Sequence, residues 1–166
     1  MSRPVGLAPT VALALAAAIV MGPSCLAAQL PDVGGPRPEF RLDVRPTDAV
    51  ELGAGVSVPT SFYLRLGGLV GGGMVRDGDT TRATARVEAH LRVPFDPLFE
   101  RRWAPYVTAG GALACIDARR CQPLLVLRLG VEGPATTHGW TPAFEAGVGG
   151  GLRIAVVLRR ANPGGR

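Results

Sequence analysis

From Glu39 onward, apolar and polar side chains alternate residue by residue in segment after segment, and no long window carries helical spacing. A strand turns successive side chains to opposite faces, so repeated period two calls for a sheet whose two faces meet different surroundings. The clearest stretch spans residues 81–95. Thr81, Ala83, Ala85, Val87, Ala89, Leu91, Val93 and Phe95 share one face, while Arg82, Thr84, Arg86, Glu88, His90 and Arg92 share the other.

The same period sets Phe40, Leu42 and Val44 against Arg41, Asp43 and Arg45, and Val50, Leu52, Ala54, Val56 and Val58 against Glu51, Gly53, Gly55 and Ser57. It continues with Leu64, Leu66, Val70 and Met74 opposite Arg65, Gly67, Gly71 and Gly73, and with Leu125, Leu127, Leu129 and Val131 opposite Arg128, Gly130 and Glu132. Residues 103–115 alternate less cleanly. Phe144, Ala146, Val148, Leu152, Ile154, Val156 and Leu158 keep one phase opposite Glu145, Gly147, Arg153 and Arg159, as one long strand or as two joined at Gly149-Gly150-Gly151. Turn residues separate the segments: Pro46-Thr47-Asp48, Pro59-Thr60-Ser61, Arg76-Asp77-Gly78-Asp79, Asp96-Pro97-Leu98, Asp117-Ala118-Arg119-Arg120 and Gly133-Pro134-Ala135. The count is seven or eight strands, with eight favoured.

Alternation alone leaves open whether the polar face meets water or the inside of a barrel. Gly53, Gly55, Gly67, Gly71, Gly73, Gly130, Gly147, Gly149 and Gly151 lie on that face, and glycine weakens a strand unless a bend or a close approach requires it. A narrow closed barrel has that requirement, because its bore holds few large side chains and its wall must curve. The candidate interior network is Arg41, Asp43, Arg45, Glu51, Arg65, Arg82, Arg86, Glu88, His90, Arg92, Arg128, Glu132, Glu145 and Arg153, with Arg159 on the same face. Burying these charges is tolerable only as shared, hydrogen-bonded ion pairs.

Residues 11–21 form an uninterrupted apolar run after Arg3, followed by the small-residue stretch Pro23-Ser24-Cys25-Leu26-Ala27-Ala28, the pattern of a secretory signal peptide. Eleven residues rising about 1.5 Å each are too short to cross a bilayer as a helix. The expected organisation is a signal peptide over 1–28, a Pro/Gly linker over 29–38, a barrel over 39–160 and a short tail over 161–166. The chain's 18 basic residues are all arginine and charged residues make up only 19%. A surface largely turned away from water would account for that, as would coding bias.

Export signal, alternating strands and glycine-rich polar face together make residues 40–160 resemble the small outer-membrane β-barrel family, whose simplest members have eight strands. Ala104-Pro105-Tyr106-Val107-Thr108-Ala109-Gly110-Gly111 is similar to the Pro-Tyr, Gly-rich strand start common there. The resemblance implies a closed antiparallel up-and-down barrel in the outer membrane of a Gram-negative envelope, with lipid as partner. It implies no catalytic residue. The chain departs from the family in ending Arg160-Ala161-Asn162-Pro163-Gly164-Gly165-Arg166, without a terminal aromatic residue. Its aromatic girdle is also thin: Phe40, Tyr63, Phe95, Phe99, Trp103, Tyr106, Trp140 and Phe144 are the candidates.

His90 beside Glu88, with Ser57 as a conceivable nucleophile, has the residue types of a hydrolytic site, but nothing in the sequence places a hydroxyl within reach. A place in a charged ladder explains His90 better, so no enzyme is expected. His138 falls in a loop. The triple glycines lack the Lys and the strand-to-helix turn of a phosphate-binding loop. No cofactor and no metal site are expected. Cys115 and Cys121 flank a hairpin and either close it with a disulfide or stay free. The net charge of +5 is spread along strands without a basic stripe interleaved with aromatics, so no nucleic-acid partner is expected. Arg101, Arg102, Arg119, Arg120, Arg159 and Arg160 stand at expected strand ends, where they meet lipid phosphates or water. The reading is a non-enzymatic outer-membrane barrel with a structural or narrow-pore role; protein partners are unknown. The alternative is a soluble exported barrel, periplasmic or secreted, whose Val/Leu/Ala face points inward around a small apolar ligand.

Overall fold

The computed structural model describes residues 35–61, 63–96, 102–117 and 120–160. Eight strands form one closed antiparallel barrel: β1 (Arg37–Arg45), β2 (Ala49–Ser61), β3 (Leu64–Asp77), β4 (Thr80–Pro94), β5 (Ala104–Ile116), β6 (Arg120–Glu132), β7 (Trp140–Val148) and β8 (Leu152–Arg160). Each strand pairs with its sequence neighbour, and β1 pairs with β8 to close the ring, Phe40 opposite Leu158 and Leu42 opposite Val156. Closure leaves no unpaired sheet edge.

Two boundaries differ from the sequence expectation. β1 starts at Arg37, so Arg37 and Pro38 belong to the barrel and not to the linker. Proline is accepted there because it stands at a strand start. β2 runs through Pro59-Thr60-Ser61, with its register shifting between Pro59 and Ser61, so the reversal falls after Ser61. Gly149-Gly150-Gly151 does separate two strands, with φ +80° at Gly150 and +125° at Gly151. The signal peptide, the linker before residue 35 and the tail at 161–166 lie outside the described residues.

The two ends of the barrel are unlike. At one, the strands reverse through residues 46–48, 78–79, 117–119 and 149–151, none longer than three residues. Gly78 there adopts φ +64°, and Cys115 and Cys121, opposite each other in register, are joined by a disulfide. At the other end β1 begins, β8 ends, and the longer connections 95–103 and 133–139 lie. Phe40, Tyr63, Phe95, Trp103, Trp140 and Phe144 gather toward this terminal end, with Phe40 against Trp140 at 5.8 Å between ring centroids and Trp103 against Phe144 at 6.4 Å. Phe99 lies outside the described residues.

The apolar set faces out and the charged set faces in. Leu52 is 66% and Leu125 79% exposed, whereas Arg41 is 2% and Glu88 1% exposed. An inward Val/Leu/Ala face around an apolar ligand is therefore not the arrangement adopted. The apolar strand faces carry Leu, Phe, Val and Ile at most positions, too much volume for an eight-strand bore, while the charged faces are interrupted by glycine and alanine.

Register explains where the small residues stand. Along one inward row Arg41 lies opposite Gly53, Gly53 opposite Gly71, Gly71 opposite Arg86 and Arg86 opposite Ala114. In others His90 lies between Gly67 and Gly110, Arg128 between Thr108 and Gly147, and Glu145 between Gly130 and Ala155. A long side chain thus lies across a small residue on the next strand. A Cβ at Gly110 would sit 2.8 Å from His90 Cβ and closer still to the Ala89 carbonyl oxygen, whereas at the outward Gly111 the nearest atom would be 4.0 Å away. Gly110→Val should therefore lose about 3 kcal/mol or more of stability, or fail to fold, while Gly111→Val stays within about 0.5 kcal/mol; urea unfolding of detergent-refolded protein checks both.

Candidate functional site: the charged bore

Most inward charged side chains form one connected set of ion pairs running along the barrel. Near the terminal end Glu39 accepts hydrogen bonds from Arg92 at 3.0 Å and Arg159 at 3.1 Å. Arg159 also reaches Glu132 at 3.1 Å, Glu145 at 2.7 Å and the Tyr106 hydroxyl oxygen at 3.0 Å. Tyr106 donates its hydroxyl to Glu145 at 2.6 Å, and its ring lies about equally close to the Arg92 and Arg159 guanidinium groups, 5.2 and 5.0 Å from the centroid.

Midway along the bore Glu145 pairs with Arg41 at 2.7 Å and Arg128 at 3.1 Å, so four partners converge on one carboxylate. Glu88 pairs with Arg128 and with Arg86, the latter at 2.8 Å. Toward the tight turns Arg153 holds Glu51 through both nitrogens at 2.9 and 3.1 Å and approaches Asp43 at 3.7 Å, while Arg41 reaches Asp43 from the other side. Arg86 and Arg153 also donate to the Gly149 carbonyl oxygen at 3.1 and 2.8 Å, tying the β7–β8 turn to the network. Each of the buried carboxylates Glu39, Asp43, Glu51, Glu88, Glu132 and Glu145 meets at least one arginine. Pairing of this kind offsets the several kcal/mol that each buried ion would otherwise cost.

Of the expected network, Arg41, Asp43, Glu51, Arg86, Glu88, His90, Arg92, Arg128, Glu132, Glu145 and Arg153 are buried in the bore. Arg82 is not part of it. Its side chain is 34% exposed on the tight-turn rim, pairing with Asp77 and Asp117, because β4 at that point has reached its first turn and the bore opens to solvent. Arg45 is also a rim residue, bonded to Asp48 at 3.1 Å and to the Gly150 carbonyl oxygen at 2.8 Å. Arg65 faces the bore at the terminal mouth and has no ion pair among the described residues. Arg159, considered for lipid phosphates, is only 1% exposed and serves the bore, whereas Arg102, Arg120 and Arg160 are exposed. Arg101 and Arg119 lie outside the described residues.

Tyr106 is a correction: considered for the girdle, it is 2% exposed inside the barrel. Its strand phase with Thr108, Gly110 and the small residues Ala104 and Ala112 carries the signal that places it there. Glu39 was missed because it follows Pro38, yet it is in phase with Arg41 and Asp43. His90 has Nδ1 3.1 Å from Glu88 Oε1, out of line for a hydrogen bond, and neither its ring nitrogens nor the Ser57 hydroxyl has a hydrogen-bond partner. Gly67 lies between Ser57 and His90 in the register, so the three supposed catalytic groups are not assembled. Among the described residues no group of three or more His, Cys, Asp or Glu is placed to hold a metal ion.

No protein-family model matches the chain, and no curated protein matches it. Among solved structures it is similar to a designed transmembrane β-barrel at TM-score 0.55 and 15% identity, over 76% of this chain and 94% of that one. The solution structure of the designed protein TMB2.3 matches at TM-score 0.57 and 14% identity, over 77% and 94%. The N-terminal barrel domain of Pseudomonas aeruginosa OprF matches at TM-score 0.45 and 15% identity, over 76% and 96%. At these identities the likeness to the two designed barrels is one of fold.

Removing a hub and removing a rim pair should differ sharply. Glu145→Gln leaves Arg41, Arg128 and Arg159 short of a buried counter-charge and should cost about 3–5 kcal/mol, whereas Arg82→Gln on the rim should cost under about 1 kcal/mol. Chemical unfolding of both variants in the same detergent measures the contrast.

Proposed function

We propose that this protein is an outer-membrane β-barrel with a structural or narrow-pore role and no enzymatic activity. The observation that carries the reading is the exposed apolar band to which every strand contributes, with Phe40, Leu52, Leu66, Leu91, Leu113, Leu127, Phe144 and Ile154 around a closed barrel. In water such a band would be an unusually large exposed apolar surface, whereas in hydrocarbon it is favourable. Strands of 9–15 residues suit that setting. Tilted about 40°, even the shortest approaches the apolar band of about 25 Å that membrane barrels present.

The aromatic end and the Arg/Asp end fit the same reading. Trp and Tyr favour the headgroup level, and the exposed Arg76, Arg120, Asp77, Asp79 and Asp117 of the tight-turn rim suit a hydrated, charged surface. The bore supports a limited transport role: Arg and Glu side chains cross it at several levels, so bulky solutes have no route without breaking buried ion pairs. With Ser57, Glu88 and His90 unassembled, the hydrolytic constellation that the sequence offers has no activated serine, which is in keeping with the non-enzymatic part of the proposal.

Cell fractionation, followed by comparing boiled and unboiled samples on a detergent gel, tests the placement. The expected result is an outer-membrane band whose mobility shifts on boiling; release into buffer without detergent would overturn it. Leu127→Arg, on the outer face midway along β6, should cost about 2–4 kcal/mol in bilayers. In a barrel surrounded by water the same change would be close to neutral. Planar-bilayer recordings should show small conductance, and a large one would remove the narrow-pore part.

A further inference from the structure

Among the described residues, arginines outnumber carboxylates at the terminal mouth of the bore. Arg37, Arg65, Arg92 and Arg159 converge there, and the buried carboxylates at that level among the described residues are Glu39 and Glu132, with Asp96 on the β4–β5 connection at the same end. Glu39 holds both Arg92 and Arg159 through Oε2 while its Oε1 has no hydrogen-bond partner among the described residues, and Glu132 holds Arg159, with Arg37 at a longer 3.7 Å. Glu145, deeper in the bore, is shared by Arg41 and Arg128 as well as Arg159. Arg65 stands directly opposite Arg92 in the β3–β4 register and has no ion pair among the described residues.

Donors at this mouth are left over. Arg65 Nη1, Arg37 Nε and Arg92 Nε are buried with no hydrogen-bond partner among the described residues, as is the hydroxyl of Ser57, which sits opposite Arg37 in the β1–β2 register. Guanidinium groups that face one another with buried donors unmet are costly, and an oxyanion removes both faults at once. Arg65 and Arg37 are only partly buried as whole residues, so the mouth is open to solution.

We propose that the terminal mouth of the barrel binds a small oxyanion, a phosphate or carboxylate group, clamped by Arg65 and Arg37 with Arg92 and Ser57 completing the donor set. The guanidinium fork matches either group with two parallel hydrogen bonds. The site needs the closed barrel and its inward arginines, and holds whether or not the outer face meets lipid, so its failure would leave the proposed membrane role standing.

The test is calorimetric titration of the refolded full chain in nonionic detergent with inorganic phosphate and with acetate, chloride keeping the ionic strength constant. Saturable binding of at least one probe is expected, weakened about tenfold or more by Arg65→Gln and retained by Arg82→Gln at the opposite rim. Equal binding by Arg65→Gln, or no saturable binding of either probe, overturns the proposal unless phosphate reaches the mouth as a lipid headgroup. A parallel arm decides that case: in micelles containing phosphatidylglycerol, its phosphorus resonance should shift with the wild-type chain and not with Arg65→Gln, and failure of this arm together with the first overturns the site. Should Arg65→Gln not fold, Arg65→Lys, which keeps the charge and loses the fork, takes its place. The wild-type unfolding midpoint should also rise in phosphate over chloride, or with phosphatidylglycerol over an uncharged lipid; no rise in either comparison counts against the site.

Discussion

An arginine pointed into a bore eight strands around must find both a carboxylate and room to reach it. Those two demands organise this barrel. Arg41 meets Glu145 of β7 beyond the intervening β8, and Arg128, which lies against Gly147, meets Glu88 and Glu145. A Cβ at Gly147 would stand 2.8 Å from Arg128 Cγ, and one at Gly130 would stand 2.6 Å from the Tyr106 hydroxyl. The glycines are therefore the clearance of the charged network, and the charges hold together strands that have little apolar core. The buried apolar cluster is small, comprising Tyr106, Ala143, Ala155 and Val157.

With the interior taken mainly by ions, the ordinary relation of core to surface is reversed, and most Leu, Val and Ile side chains are left outside, Leu69, Val75, Val126 and Val157 being buried. That is unfavourable in water and favourable in a hydrocarbon solvent, so the same side chains that fill the bore also decide which environment suits the outer wall. The ends then divide the remaining chemistry. Aromatic rings collect where the strands begin and end, while the opposite rim consists of tight turns, paired Arg and Asp side chains and a disulfide.

Much of this could be read along the chain. Strand phase identified Arg41, Glu88, Arg128, Glu145 and Arg153 as inward, because each sits in unbroken alternation with apolar neighbours. Reading failed where alternation weakened or stopped. Tyr106 lies in β5, where alanine and glycine stand on both faces and blur the contrast, and an aromatic near a strand start suggests a girdle. Glu39 was hidden behind a proline. Arg82 has the right phase, but phase says nothing of height along the barrel, and at the rim water replaces the bore.

What the sequence determined by itself is therefore the set of strands and the face each side chain takes, since period two is a property of the local backbone. The tertiary structure decided which partner each charge meets. Arg153 holds Glu51, Arg159 holds Glu39 and Arg41 holds Glu145 only because the ring closes between β1 and β8 in one particular register. A slip of that closure by two residues would keep every face and exchange these three pairs, and no local pattern distinguishes the two, because the pairing energy exists only once distant strands share a bore.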